Sequence, residues 1–215
     1  MTTPPIIAVV DYGIGNLHSA QKALVHIGAD ARLTADPAEI ERADGVVLPG
    51  VGAFGACMAA LREAGLEAAV VAAATSARPF LGICVGMQML FSASEESPAA
   101  RGLGVIPGVI RWIPATVKRP QMQWNVLRMR DDREPMFAGL GAEPWFYFVH
   151  SLHGVPDDPE AVVAACDYGG ELNAAFRVGT VFAVQFHPEK SASAGLAMLS
   201  NFVTEVSRGL AVAGR

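Results

Sequence analysis

Three residues of this 215-residue chain have the types and surroundings for nucleophilic chemistry: Cys84, His187 and Glu189. Cys84 lies in "PFLGICVGMQML", an apolar strand pattern that runs into Gly82-Ile83-Cys84-Val85-Gly86 and then into a helical pattern. A nucleophile with a glycine two residues away on either side marks a strained strand-to-helix turn, because small neighbours allow the close approach that lets the nucleophile project above a sheet. The helix N-terminus at that point favours an anion, here a thiolate. A lone cysteine is more often a small buried residue, and Cys57 and Cys166 are read that way. The strand, glycine and helix around Cys84 set it apart from them.

A thiol nucleophile needs a base, and "FAVQFHPEKS" places His187 directly after an apolar strand with Glu189 two residues on. His187 can take the thiol proton and later deliver it to a leaving amine, while Glu189 can fix the imidazole's tautomer and orientation. Taken alone, His187 would simply end a strand and Glu189 would be a solvated charge. Paired with a nucleophile at another strand's carboxyl end, they make a triad. A third stretch, "VVLPGVGAFG", ends a buried strand in Pro49-Gly50-Val51-Gly52. Glycines there let backbone N–H groups approach a ligand, and with the N–H of Val85 they can form an oxyanion hole. In isolation that motif is an ordinary glycine loop.

These loops must be held by a common frame, and the first half of the chain supplies one. Strands are expected at 6–10, 31–34, 45–48 and 79–83, alternating with a helix at 16–27 and helices within 56–74. Continuous apolar strands alternating with helices predict an α/β fold with a mostly parallel central sheet covered on both faces. Short β-type runs at 108–113, 145–149, 161–165 and 181–186 predict antiparallel strands continuing that sheet. A closing helix is expected at 196–210. The length suits a single domain, 1–215.

The turn "DYGIGNLHSA" after the first strand resembles a dinucleotide cradle only in part. Gly13 and Gly15 match G-x-G-x-x-G, but His18 occupies the third position and no acidic residue sits on a clear strand end about 20 residues later. The turn is expected instead to lie beside residues 49–52 and Cys84, with Asn16 capping the following helix. No cofactor is called for. His150 and His153 could suggest a metal pair, but no acidic or cysteine ligand lies near them in sequence, so no metal is expected.

Composition narrows the partners. The net charge of −5 and the absence of a Lys/Arg cluster give no footprint for nucleic acid or an anionic membrane. The longest apolar run, 68–74, is far too short for a membrane span, and no basic segment precedes the first apolar stretch as in a signal peptide, so a cytoplasmic location is expected. Three dispersed cysteines argue against a disulfide framework or a structural zinc site.

Taken together, "DYGIGNLHSA", "LPGVGAF", "LGICVGMQML", "RGLGVIPG", "PQMQWN", "FYFVHS" and "QFHPEKS" resemble, in order and spacing, the triad-type class I glutamine amidotransferases. Within them the chain is similar to the glutaminase subunits of imidazole glycerol phosphate synthase, over about residues 9 to 200. The resemblance implies a flavodoxin-like class I fold in which Cys84 attacks the side-chain amide of glutamine, forming a γ-glutamyl thioester that water hydrolyses. His187 is then the acid/base and Glu189 its orienting partner. It further implies Gln88 and Glu96 as glutamine-binding positions and Gly52 and Val85 as oxyanion donors. For both Gln88 and Glu96 the alternative is a capping or surface polar residue, and for Glu96 the two readings weigh about equally. It also implies a cyclase partner with a (βα)8 barrel, which takes the ammonia through an internal passage and converts the nucleotide PRFAR to imidazole glycerol phosphate and AICAR for histidine biosynthesis. Asn16, Trp124, Asn125 and Lys190 would face that partner.

Two positions depart from the pattern. Gln123 replaces the glycine of P-x-M-G-W-N, which would strain the loop if that glycine has positive φ, and Leu152 replaces the usual aromatic after "FVHS". Rival readings are a glutaminase serving another synthase, against which the "PGVGAF" and "FYFVHS" stretches speak, and a docking module without chemistry, against which the intact Cys84, His187 and Glu189 speak.

Overall fold

The computed structural model describes residues 3–131 and 133–212. The first half alternates as expected: β1 (Ile6–Val10), α1 (Leu17–His26), β2 (Asp30–Thr34), α2 (Pro37–Arg42), β3 (Gly45–Gly50), α3 (Phe54–Glu63), α4 (Glu67–Ala74), β4 (Phe80–Cys84) and α5 (Val85–Met89). The sequence reading missed α2, although its start signal was present: Asp36 accepts the Ala38 N–H and Pro37 occupies the first helical position. The second half adds β5 (Phe91–Ser94), β6 (Ile106–Trp112), β7 (Gln121–Val126), β8 (Arg128–Met129), β9 (Trp145–His150), β10 (Leu152–Pro156), β11 (Val162–Asp167), β12 (Glu171–Val178), β13 (Val181–Val184) and α6 (Ala192–Val212).

An eight-stranded sheet has the order β2-β1-β3-β4-β13-β12-β11-β8. From β2 to β13 all neighbours are parallel, and β13-β12-β11-β8 are antiparallel. Every residue of β3, β4 and β13 is buried, as a sheet covered on both faces requires.

The expectation that all four later runs extend this sheet as antiparallel strands needs correction. The run at 161–165 does so, as β11, but the run at 181–186 enters as β13, parallel to β4. The runs at 108–113 and 145–149 leave the main sheet: β6 lies in a three-stranded sheet, β10-β6-β5, and β9 pairs only with β7. Strand alternation gives a residue's face but not its partner, so a long-range choice between sheets is invisible locally.

The parallel strands end on one edge, where the loops after β1, β3, β4 and β13 gather. That edge is where an open α/β sheet binds ligands, near the point at which the strand order reverses between β1 and β3.

Candidate active site

Cys84 ends β4 with φ +54° and ψ −114°, a positive-φ conformation rare for a residue with a side chain, and α5 begins at the next residue. The flanking glycines make the turn sterically feasible. A Cβ on Gly86 would lie 1.9 Å from the Leu48 carbonyl oxygen, and one on Gly82 would lie 3.0 Å from the Met87 Cα. Gly50, paired with Cys84 in register, is equally crowded: its Cβ would come within 2.6 Å of the Gly86 nitrogen. Three glycines thus let β3, β4 and α5 close around one thiol.

His187 follows β13, is buried, and lines the same cavity as that thiol. Its Nδ1–H donates to Glu189 Oε1 at 2.8 Å. Burial pulls the imidazole's pKa down, but the hydrogen bonds and charges of Cys84 and Glu189 outweigh it and hold the value up at about 10. The ring is therefore a cation at neutral pH, between two groups that favour it. The loop is fixed by residues the sequence reading missed. Ser191 Oγ donates to the His187 carbonyl at 2.6 Å and accepts from the Tyr147 N–H, while the His187 N–H donates to the Tyr147 carbonyl.

A cavity of about 320 Å³ opens onto these groups and is lined by Gly52, Cys84, Val85, Gln88, Glu96, His187 and Lys190, together with Val51, Pro120 and Val149 to Leu152. Seven of the expected site residues therefore converge, and Glu189 stands behind His187. Gln88 is buried and donates to Gln185 Oε1 at 3.1 Å; Gln185 in turn donates to Cys84 Sγ at 3.8 Å. Sequence reasoning missed Gln185, whose signal was a lone amide in the apolar run just before His187. Glu96 accepts the Phe54 N–H that opens α3 through its Oε2, at 2.7 Å, and also lines the cavity. Gly52 has φ +92°, and no atom would touch a Cβ there, so glycine is needed for conformation rather than space.

The remaining expectations divide. Asn16 occupies the N-cap of α1, but its side chain does not cap the backbone; its Oδ1 accepts the Ser19 hydroxyl instead. Gln123 lies in regular β7 without positive φ, so it imposes no strain. Trp124 is 43% exposed, whereas Asn125 ties β7 inward by donating to the Asp167 carbonyl. His150 is buried, donates from Nδ1 to the Leu152 carbonyl and contacts Gln121 through Nε2; burial lowers its pKa to about 4. Among the described residues no group of three or more His, Cys, Asp or Glu side chains is placed to hold a metal ion, and no helix is long and apolar enough to cross a membrane.

The sequence profile of glutamine amidotransferase class-I matches residues 8–206. The chain belongs to the class-I glutamine amidotransferases. Among curated relatives of this amidotransferase, the imidazole glycerol phosphate synthase subunit HisH of Synechococcus elongatus is 51% identical over 96% of both chains. HisH of Methylococcus capsulatus is 49% identical over 92% of this chain and 95% of its own. In fold, the amidotransferase is similar to a putative GMP synthase subunit of Thermoplasma acidophilum, with TM-score 0.75 and 20% identity over all of both chains. It also resembles PurLQS of Thermotoga maritima, with TM-score 0.72 and 20% identity over 99% of this chain and all of that one.

Proposed function

We propose that the chain is the glutaminase subunit of imidazole glycerol phosphate synthase, a single cytoplasmic amidotransferase domain that delivers ammonia to a cyclase in histidine biosynthesis. The observation that carries this reading is a buried thiol on a strained strand-to-helix turn, facing a carboxylate-held imidazole, in a chain half identical to HisH subunits over nearly its whole length.

The chemistry follows from the geometry. Cys84 Sγ attacks the carboxamide carbon of glutamine, and the carbonyl electrons move onto oxygen. Val85 and Gly52 both line the cavity, and their backbone N–H groups are the donors that would stabilise that oxyanion. The C–N bond breaks as His187 gives its proton to the departing nitrogen, releasing ammonia and leaving a γ-glutamyl thioester. Water then attacks the thioester, His187 takes the water's proton, and glutamate leaves as the thiol re-forms. Gln88 and Glu96, both lining the cavity, hold the glutamine.

A docking face for the cyclase lies beside the cavity. β7 and β9 pair Met122 with Val149, Trp124 with Tyr147 and Val126 with Trp145, and cross-strand partners share a face. Met122, Trp124 and Trp145 on that face are 62%, 43% and 54% exposed, and Val149 continues it to the cavity rim. Contiguous exposed apolar surface of this kind marks an interaction site. Lys190 lines the same cavity. A docked partner would take ammonia before water protonates it and removes its nucleophilic lone pair.

Mixing the protein with a histidine-pathway cyclase and its nucleotide substrate should raise glutamate release from glutamine well above that of the protein alone. An unchanged rate would remove the pathway assignment. Cys84→Ala should abolish glutamine-dependent synthesis in the complex while synthesis from added ammonium salt persists.

A further inference from the structure

Two buried side chains without a part in this chemistry grip the 49–52 strand from behind. Tyr12, in the loop after β1, donates its hydroxyl to the Pro49 carbonyl at 2.8 Å; Cys57, in the first turn of α3, donates its thiol to the Val51 carbonyl at 3.2 Å. Each group spends its single proton on one carbonyl of the strand. Burial raises the pKa of both Tyr12 and Cys57, so both remain protonated donors at neutral pH.

A trans peptide points its C=O and N–H in opposite directions. Holding the Pro49 carbonyl therefore sets the direction of the Gly50 N–H, and holding the Val51 carbonyl sets that of the Gly52 N–H. The strand has little room to shift instead: Gly50 pairs with Cys84, and a Cβ on Gly50 would lie 2.8 Å from the Tyr12 hydroxyl. Glycines at 50 and 52 would otherwise leave this backbone free to turn.

We infer that Tyr12 and Cys57 are positioning residues for oxyanion stabilisation, clamping two carbonyls of the 49–52 strand so that its N–H groups are aimed for the tetrahedral intermediate formed at Cys84. The inference rests on the glutaminase reading. It differs from a merely structural role in one respect: the clamp matters only to a reaction that passes through an oxyanion. Glutamine hydrolysis does. Alkylation of Cys84 by iodoacetamide, in which an S–C bond forms as iodide leaves, does not.

The two reactions are compared in the complex with cyclase for wild type, Tyr12→Phe, Cys57→Ala and Cys57→Ser, with alkylation at Cys84 followed by peptide mass spectrometry. Tyr12→Phe and Cys57→Ala should each lower the glutaminase kcat about tenfold with KM within about twofold of wild type, the pattern of a lost transition-state interaction. Alkylation should stay within about twofold, and Cys57→Ser, which keeps a donor, should recover most of the kcat. Full kcat in both deletions, a loss confined to KM, a parallel loss of alkylation, or a Ser variant no better than Ala overturns the clamp while leaving the glutaminase reading intact. A wild-type complex that does not hydrolyse glutamine overturns both.

Discussion

At Cys84 and His187 the backbone and the charge state are set together. The thiol is held at positive φ by its neighbours, and the imidazole beside it is kept charged by Cys84 and by Glu189, whose carboxylate lies 2.8 Å from Nδ1. Because the folded-state pKa of His187 is raised, to about 10 from 6.5, its contribution to stability is fully present below pH 6.5 and is lost as pH rises through about 10. NMR of the His187 ring should therefore show an imidazolium through neutral pH that titrates near 10, and a transition near 6.5 would contradict the arrangement. Glu189→Gln removes one of the groups that raises this pKa. The titration should move down, and glutamine turnover in the complex should fall about a hundredfold, the scale of a lost acid/base contribution. Cys84 and His187 stood out in the sequence because each follows an apolar strand and has a diagnostic neighbour, glycines for the one and Glu189 for the other. Gln185, Ser191 and Tyr12 did not, since what they do depends on which strand ends meet, which neither spacing nor residue type records.

The elements that bring these groups together were legible where periodicity is strong and local. The parallel half and the closing helix were recovered, and their continuous apolar strands explain why. The assignment of β6 and β9 to the main sheet failed because pairing partners are chosen by tertiary packing rather than by alternation. Close approach between elements yields a sharp prediction. With a Cβ only 1.9 Å from the Leu48 carbonyl oxygen, Gly86→Ala must push α5 away from β3, costing about 3 kcal/mol or more in urea unfolding and eliminating glutamine turnover. A variant as stable as wild type would show that the elbow is not packed as described. Far from the site, Arg177 of β12 binds Glu134 and Glu205, and so joins the short turn before Pro135 to α6. Glu134 is buried, so Arg177→Met leaves a carboxylate uncompensated. A loss of about 3 kcal/mol is expected in chemical denaturation, and a change under about 1 kcal/mol would show the network to be solvated in solution.

For the whole molecule, the cavity and the β7–β9 face share Val149, and this joins the fold to the proposed division of labour. A free subunit gains nothing from three large apolar side chains left in water beside its active site, whereas a partner that covers them would also close the route to bulk solvent. Such a contact would draw most of its energy from a few aromatic anchors, and Trp124, its ring tilted against Tyr147 with centroids 6.1 Å apart, suits that role. Truncating it should therefore separate two quantities that core substitutions change together. In the free subunit Trp124 is not buried, so Trp124→Ala leaves no cavity and should change the unfolding free energy by no more than about 0.5 kcal/mol. In the complex the same change should weaken cyclase binding by about 2 kcal/mol, or roughly thirtyfold in Kd by calorimetric titration. Undiminished affinity would move the docking face elsewhere on the molecule, and a large loss of free-subunit stability would mean that Trp124 serves the fold. A weakened complex built from an equally stable subunit is the outcome expected if this face evolved to be covered.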